Sequence, residues 1–277
     1  MLRVFSFLIA VYLLSPTVLV AIMSFGDAGS FHFPPRSFGF AVYQSYFDSG
    51  PWLVATYNSV LIAILCSIAV MVLVVPAAMA QARYRYRGQE MLNTLLMLPI
   101  IVPPVVSAVA YYGFLSPLGL TSSILGMVIA HTALALPVTY LVVSASMKGF
   151  DLNLERAAMI SGASRVRALF HVTFPVLRPG LLVGALFAFL YSFNESAVSI
   201  FIAGRNAETL PKRMFGSILT DTDPVIAVVS TLVTGATLLG AVIWLLAQSK
   251  TWRSAINWPM GTHAELDRPT VKAGGLV

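Results

Sequence analysis

Long apolar runs separated by short polar stretches dominate the sequence. The hydrocarbon core of a bilayer is about 30 Å thick, and roughly 20 apolar residues in a helix cross it. Six runs reach that length and predict six transmembrane helices, at residues 4–25, 57–80, 91–115, 123–147, 181–203 and 225–247. Strands of a membrane barrel would instead alternate polar and apolar residues over about ten positions. The pattern therefore predicts an all-α polytopic membrane protein.

The two ends of the chain differ in character. The first run follows Arg3, as in a secretory signal peptide, but its length of about 22 residues exceeds the roughly 7–15 apolar residues of a signal. We therefore expect a retained span. The stretch 248–277 is polar and carries Pro259 and Pro269, so we expect a poorly ordered tail after a transmembrane domain over residues 1–247.

Composition narrows the class of protein further. Hydrophobic residues make up 58% of the chain and charged residues only 10%, whereas soluble domains have about 25% charged residues. Such a chain cannot cover a soluble surface, and it is too hydrophobic for intrinsic disorder. A single cysteine, Cys66, excludes a disulfide-stapled secreted domain. We expect Cys66 to be a small buried apolar group.

The net charge of +6 follows the topology. If the N-terminus lies inside, 13 of the 17 basic residues fall in inside segments, and the other 4 are Arg36, Arg205, Lys212 and Arg213. Basic residues favour the cytoplasmic side, so both termini are predicted to be cytoplasmic. The cations are dispersed over several loops, which argues against binding to nucleic acid. We interpret the run Arg83-Tyr84-Arg85-Tyr86-Arg87 as a contact with lipid headgroups.

The inside loop 148–180 is the most unusual polar segment. It predicts two short helices separated by a turn, the first at about 154–161. Glu155, Ala158 and Gly162 lie at positions i, i+3 and i+7 and so share a face. The two small residues would let another backbone approach closely. Gly162 is also suited to the left-handed conformation that ends a helix.

The second short helix is expected to begin at Ser164, whose hydroxyl can cap it. Pro175 and Pro179 are expected to end it before the fifth span. Its apolar stripe consists of Val166, Leu169 and Phe170. An amphipathic connector lying on the membrane surface would show the same pattern, but the small face outside the membrane favours a segment that docks a partner protein.

The spacing in this loop resembles the EAA signature of ABC importer permeases: Glu-Ala-Ala, three residues, Gly, nine residues, then Ile-x-Leu-Pro. Ala157, Ala158 and Gly162 match, and Val172-Thr173-Phe174-Pro175 follows at the same spacing. Arg156 stands where the signature has Glu, with Glu155 beside it. The resemblance implies a set of residues that couple to an ATPase: Glu155, Arg156, Ala157, Ala158, Gly162, Ala163, Ser164, Val172 and Pro175.

The resemblance extends over most of the chain. Three further segments are similar to the family in general: Asn58-Ser59, the cluster from Pro99 to Pro104, and Leu136-Pro137. Three others resemble its spermidine/putrescine branch: Ser192-Phe193-Asn194-Glu195, Phe201-Ile202-Ala203-Gly204 and Thr209-Leu210-Pro211. Asn194 replaces an Asp that this branch often carries. The resemblance implies a polyamine as the solute, with an opine, an amino acid derivative, iron or a phosphonate as alternatives.

The resemblance also implies the assembly in which the chain works. It implies the MetI-like fold of type I ABC importer permeases in a bacterial inner membrane. A second permease subunit, expected to be a different homologous chain, would complete the pathway. Two ATP-binding subunits would dock on the cytoplasmic side, and a periplasmic or extracytoplasmic solute-binding protein would dock outside. ATP and Mg²⁺ would be bound by the ATPase chains, and this chain is expected to bind no cofactor or metal.

The sequence contains no motif of a catalytic site. A G-x-x-x-x-G-K-[ST] loop is absent, so ATP hydrolysis is expected in another chain. H-E-x-x-H and G-x-S-x-G are absent as well, which counts against a membrane enzyme. An ion-driven secondary transporter would need a matching acidic or broken-helix pair in the other half of the chain, and the sequence shows none.

Polar residues within the predicted spans are the remaining candidates. Glu195 is costly to place in a membrane and is therefore a functional candidate. With Tyr191 and Asn194 it would line a solute path, or it would lie near enough to the outer surface to be hydrated or paired. We expect His131 in the fourth span to be a hydrogen-bonded packing residue and not a metal ligand.

Overall fold

The computed structural model describes residues 2–27, 33–220 and 223–256, and these contain helices but no strand. The helices are α1 (Leu2–Met23), α2 (Ala41–Asp48), α3 (Gly50–Arg83), α4 (Gln89–Met97), α5 (Pro104–Leu115), α6 (Ile124–Lys148), α7 (Leu152–Ile160), α8 (Arg165–Ala168), α9 (Phe174–Asn194), α10 (Ala197–Ile202), α11 (Leu210–Thr220) and α12 (Val225–Ile256). Short 3₁₀ turns cover Leu98–Ile100 and Arg205–Ala207, and Leu169–Thr173 is a π-helical segment. The all-α prediction is confirmed.

The described chain divides into two units. One comprises residues 22–228, and the other comprises the terminal segments 2–21 and 229–256. Both terminal segments are helical, and α12 continues to Ile256. Residues 248–256 of the predicted tail thus belong to a helix, and the rest of that tail lies outside the described residues.

The core of the larger unit is a bundle of α3, α6 and α9. Small side chains line its interior, and a Cβ on Gly184 of α9 would lie 2.6 Å from Cγ2 of Val143 in α6. Small residues let membrane helices approach closely. Cys66 is buried in this bundle, as expected. A second cluster joins α5 and α10 to α3 and α6.

The number of predicted spans is not reproduced. Within the described residues, four helices are long and apolar enough to cross a membrane, at Val4–Met23, Gly50–Arg83, Ile124–Lys148 and Arg165–Asn194. A bent pair, Gln89–Ile100 and Pro104–Leu115, makes up to five. The predicted sixth span corresponds to the shorter apolar stretch Val225–Gly240.

The predicted third span is broken by its prolines. Its two halves meet at an angle of 103°. Pro103 has an extended backbone, with ψ of 136°, because the ring of Pro104 disfavours a helical conformation in the residue before it. The sequence at 91–115 is mostly apolar and carries no charged residue, so hydropathy alone predicts a continuous helix there.

The fifth span begins much earlier than predicted. Residues Arg165–Asn194 form one helical run, so Pro175 and Pro179 do not end a helix, and this expectation is wrong. The π-helical segment before Pro175 explains why the helical run tolerates this proline. There the N–H of Phe174 donates to Leu169, five residues back, so the wider turn accommodates a proline that has no N–H to donate.

Helix α3 also exceeds its predicted span. Its 34 residues cover about 51 Å at about 1.5 Å per residue, well beyond a hydrocarbon core of about 30 Å. A helix of this length extends beyond the hydrocarbon core on at least one side. The end at Arg83 reaches the segment that carries the EAA-like signature.

Candidate functional site

The signature segment forms α7 and α8, and local capping defines both helices. The carboxylate of Asp151 accepts from the N–H of Asn153 at 2.9 Å and caps α7. At the other end, Gly162 has φ of +92°, and its N–H donates to Met159 while that of Ala163 donates to Ala158. These two bonds make a Schellman motif. The hydroxyl of Ser164 accepts from Arg167 and caps α8, so both capping predictions are confirmed.

The surface of this segment is apolar and exposed. Ile160 is 88% exposed at the end of α7, and Val166 and Phe170 are 64% and 60% exposed. Arg156, at the position of the signature's Glu, is also exposed, with a 3.4 Å contact to Asn153. Exposed apolar side chains of this kind are typical of a surface that another protein or the membrane covers.

Glu155 faces the opposite way, into the chain. Its carboxylate pairs with Arg83, the last residue of α3, through contacts of 2.7 Å and 3.1 Å. The hydroxyl of Thr173 donates to the same carboxylate at 2.9 Å and accepts from Arg83 at 3.4 Å. We call these three residues the inner cluster. The sequence predicts that Arg83 contacts lipid headgroups, whereas it pairs with Glu155 here. Thr173 is expected from the sequence only as part of the signature.

The other predicted coupling residues are distributed over two environments. Half-buried positions are Ala158, Ala163 and Val172. Exposed positions are Arg156, Ala157, Gly162, Ser164 and Pro175. A Cβ on Gly162 would meet nothing within 4 Å. Within this chain, the positive φ is therefore what requires a glycine at this position. The sequence pattern also predicts close packing against it.

Glu195 stands where the fifth span is interrupted between α9 and α10. Its backbone is extended, with ψ of 112°, and its carboxylate Oε1 accepts from the N–H of Val198 at 3.0 Å. The side chain thereby satisfies a donor at the start of α10 that has no partner within the helix. The carboxylate of Glu195 thus serves in part as a helix cap, a role that the sequence did not predict.

The predicted path residues line one groove. An open groove of about 450 Å³ is bounded by Val138, Phe187, Leu190, Tyr191, Asn194 and Glu195. Apart from one residue of α6, all of them lie on the last two turns of α9 or at its end. Tyr191 and Glu195 are half-buried, and Asn194 is exposed and donates to the carbonyl of Leu190. The structure therefore brings Tyr191, Asn194 and Glu195 together.

His131 joins the two sides of the same interruption. Its Nδ1 lies 2.9 Å from the hydroxyl of Ser192 in α9, and its Nε2 lies 3.4 Å from that of Ser199 in α10. The ring is 1% exposed. The expectation of a hydrogen-bonded packing residue is confirmed, and the described residues contain no group of three or more metal-ligating side chains.

Two segments that resemble the permease family meet near the Gly50 end of α3. The side-chain amide of Asn58 donates to the carbonyl of Glu208 at 3.1 Å, and the hydroxyl of Ser59 accepts from the N–H of Leu210 at 2.7 Å. Asn58 and Ser59 are both buried. Segments 58–59 and 209–211 are far apart in the sequence, and these bonds hold the chain after α10 against α3.

Lys212 contacts the C-terminal end of α10, opposite the end that Glu195 caps. Its ammonium donates to the carbonyl oxygens of Ala203 and Ile200, which are acceptors at the C-terminal end of the helix. Burial lowers the pKa of Lys212 below the ordinary lysine value, and nearby Glu208 opposes that shift. Helix α10 thus has a carboxylate at its N-terminus and an ammonium at its C-terminus.

Comparison with known proteins supports the sequence resemblance. The family described as "Binding-protein-dependent transport system inner membrane component" matches residues 73–251, well over half of the chain. The permease PotC of the spermidine/putrescine transport system of Haemophilus influenzae is 26% identical over 228 residues, covering 82% of this chain and 88% of PotC. A probable molybdenum ABC transporter permease of Haloferax volcanii is 33% identical over 175 residues, covering 60% of this chain and 65% of that protein.

Solved structures show the same fold. A chain of a bacterial ABC transporter for import of the acidic polysaccharide alginate superposes with a TM-score of 0.66, at 16% identity, over 89% of this chain and 94% of that one. Permease subunits of this kind are not themselves enzymes. The chain therefore belongs to the inner membrane components of binding-protein-dependent transport systems, the membrane-embedded permease subunits of ABC importers.

Proposed function

We propose that this chain is one permease subunit of an ABC importer for a polyamine such as spermidine or putrescine. Curated relatives named as spermidine/putrescine or putrescine permeases support this solute class. The observation that carries the proposal is the groove at the interruption of the fifth span, where apolar walls adjoin the carboxylate of Glu195. A polyamine is an apolar methylene chain with cationic ends, and this lining complements both parts.

Glu195 would recognise an ammonium group of the solute. Its Oε1 accepts the hydrogen bond from the N–H of Val198. None of the described contacts of the side chain involves the second carboxylate oxygen. Tyr191 adds an aromatic ring and a phenol oxygen to the same wall, and cations interact favourably with both. Asn194 lies on the rim of the groove and would act as a neutral hydrogen-bonding group.

The test is uptake of labelled putrescine and spermidine by vesicles that contain the complete importer. Glu195→Gln keeps an oxygen that can cap α10 and removes the charge, so we expect at least a roughly tenfold loss of polyamine uptake with normal assembly, since a charged hydrogen bond contributes about 1.5–3 kcal/mol. Glu90→Gln removes an exposed acid at the start of α4 and is the matched control. Equal uptake by the Glu195 variant and the wild-type protein would refute the role of the carboxylate.

A molybdenum species is the second candidate solute. The Haloferax volcanii relative favours it by its higher identity. Molybdenum dissolves at neutral pH as the molybdate dianion, and the described residues lining the groove include a carboxylate and neither Arg nor Lys. Molybdate would therefore be repelled at this point of the path. ATP-dependent uptake of molybdate but not of polyamines by the same vesicles would favour this alternative.

Coupling to ATP is proposed to act through the segment 148–180. A separate pair of ATP-binding subunits, which hold ATP and Mg²⁺, would cover the exposed surface of α7 and α8 on the cytoplasmic side. A homologous second permease subunit and an external solute-binding protein complete the proposed complex, with both termini of this chain cytoplasmic. The exposed side chains of Ile160, Val166 and Phe170 support this contact.

Ile160→Glu tests the docking surface without straining the fold, because the side chain is 88% exposed. We expect loss of the ATP-binding subunits on affinity purification, while the chain still inserts in the membrane. Leu219→Glu, on α11 and 71% exposed, is the control for an added charge at an exposed apolar position. Full recovery of the ATP-binding subunits with the Ile160 variant would contradict docking at this surface.

A further inference from the structure

The inner cluster joins the signature segment to two membrane helices. We infer that Arg83, Glu155 and Thr173 form the mechanical joint through which a movement of α7 reaches α3 and α9, so that Glu155 is a positioning residue within this chain. The inference rests on the proposed coupling of the chain to an ATPase. It assigns to Glu155 an internal role that its place beside the signature position does not suggest.

The geometry of the cluster distinguishes it from an ordinary surface ion pair. Each terminal guanidinium nitrogen of Arg83 contacts one carboxylate oxygen of Glu155, at 2.7 Å and 3.1 Å, and the side chains are only 16% and 12% exposed. Such a bidentate ion pair fixes the relative orientation of the two side chains as well as their distance. The hydroxyl of Thr173, which is buried, donates to one oxygen and accepts from the guanidinium. The described residues of the larger unit contain one other ion pair, and it has a single contact of 3.2 Å.

The position of each member determines what the joint connects. Glu155 lies in the first turn of α7, Arg83 is the last residue of α3, and Thr173 is the last residue of the π-helical segment that leads into α9. The two helices of the bundle that receive these contacts also pack against each other and against α6. A displacement of α7 is therefore transmitted to the bundle at two points, the end of α3 and the start of α9.

Without the cluster, α7 would be held by its two short connections and by its packing against α8 and the π-helical segment, with no ion pair to α3. It follows α6 after the three residues 149–151, and the turn after it contains Gly162, where φ is positive. A push on its exposed end at Ile160 would then rotate the nine-residue helix about these connections. The bidentate ion pair resists that rotation, because it holds the first turn of α7 against α3. The same push then moves α3 and α9 together with α7.

The experiment uses the complete importer in proteoliposomes, with uptake and ATP hydrolysis measured in the same sample. For Glu155→Gln and Arg83→Gln we expect the ATP-binding subunits to remain bound, ATP to be hydrolysed, and uptake per ATP to fall at least about fivefold, the lower range of typical coupling between sites. The exchange Arg83→Glu with Glu155→Arg should recover a large part of the lost uptake per ATP. Thr173→Val should give a smaller loss, and Glu90→Gln should give none.

Three results would overturn the inference. The first is loss of the ATP-binding subunits with Glu155→Gln but not with Arg83→Gln, which would make Glu155 a partner contact. The second is unchanged uptake per ATP in both single variants. If the single variants prevent assembly, Thr173→Val and the exchanged pair test the inference instead. The third result is then wild-type uptake per ATP with Thr173→Val together with no recovery in the exchanged pair. Absence of ATP-driven uptake by the wild-type importer would instead refute the proposed function.

Discussion

Replacing Gly162 by alanine should destabilise the end of α7 by about 1–2 kcal/mol, the cost of a left-handed backbone for a residue with a Cβ. The magnitude follows from two observations. The φ of Gly162 is +92°, and an added Cβ would meet nothing within 4 Å. The penalty is therefore conformational and not steric. Gly162→Asn should lose less, because asparagine adopts this conformation more readily. Gly216→Ala, in an open position inside α11, should stabilise that helix by roughly 0.5–1 kcal/mol.

Hydrogen–deuterium exchange of the purified chain in detergent measures the effect where it occurs. The amides of Gly162 and Ala163 are the two donors of the Schellman motif, and a loss of 1–2 kcal/mol corresponds to exchange faster by a factor of about 5–30. Equal exchange at these amides in Gly162→Ala and the wild-type protein would refute the conformational explanation. Retained ATPase binding by Gly162→Asn would show that docking needs the helix end and not the missing side chain.

Three further substitutions have measurable consequences in thermal unfolding of the detergent-solubilised chain. His131→Ala should be destabilising, because a 1% exposed ring and two hydrogen bonds worth about 0.6 kcal/mol each are lost, and an unchanged melting temperature would contradict its role across the interruption. Gly180→Leu should cost about 1–3 kcal/mol, since its Cβ would lie 1.9 Å from the hydroxyl oxygen of Ser146 in α6. Gly113→Leu, with nothing within 4 Å, should be close to neutral. Trp52→Phe should cost about 0.5–1.5 kcal/mol by removing its 3.1 Å indole hydrogen bond, and wild-type stability would argue against that bond.

Features set by neighbouring residues could be predicted from the sequence. The turn at Gly162 and the cap at Ser164 depend on residues within four positions, and both are observed. The apolar runs likewise gave the all-α class and the approximate places of α1, α3 and α6. Hydropathy failed where backbone geometry decides. The pair Pro103-Pro104 breaks an apolar run, whereas Pro175 continues one because a π-helical turn precedes it.

Contacts between distant residues could not be predicted from one sequence. The partners in the inner cluster are separated by 72, 90 and 18 positions. Periodicity within the segment 148–180 places Glu155 on a face with Ala158, but it does not tell which element covers that face. The sequence therefore left open whether Glu155 meets a partner chain. Within the chain the structure pairs Glu155 with Arg83, because α3 is long enough for its last residue to reach the carboxylate.

The interruption of the fifth span explains why an ionisable residue lies there. Backbone that leaves the helical conformation at membrane depth is tolerated only where protein covers it or where it lines a cavity. Both conditions hold around Glu195. Its carboxylate and the ring of His131 supply hydrogen bonds across the break, and the same carboxylate lines the groove. The structural role of Glu195 is therefore compatible with the proposed functional one. One oxygen accepts the hydrogen bond at the start of α10, so the proposed binding of a cationic solute to the other oxygen would leave that bond in place.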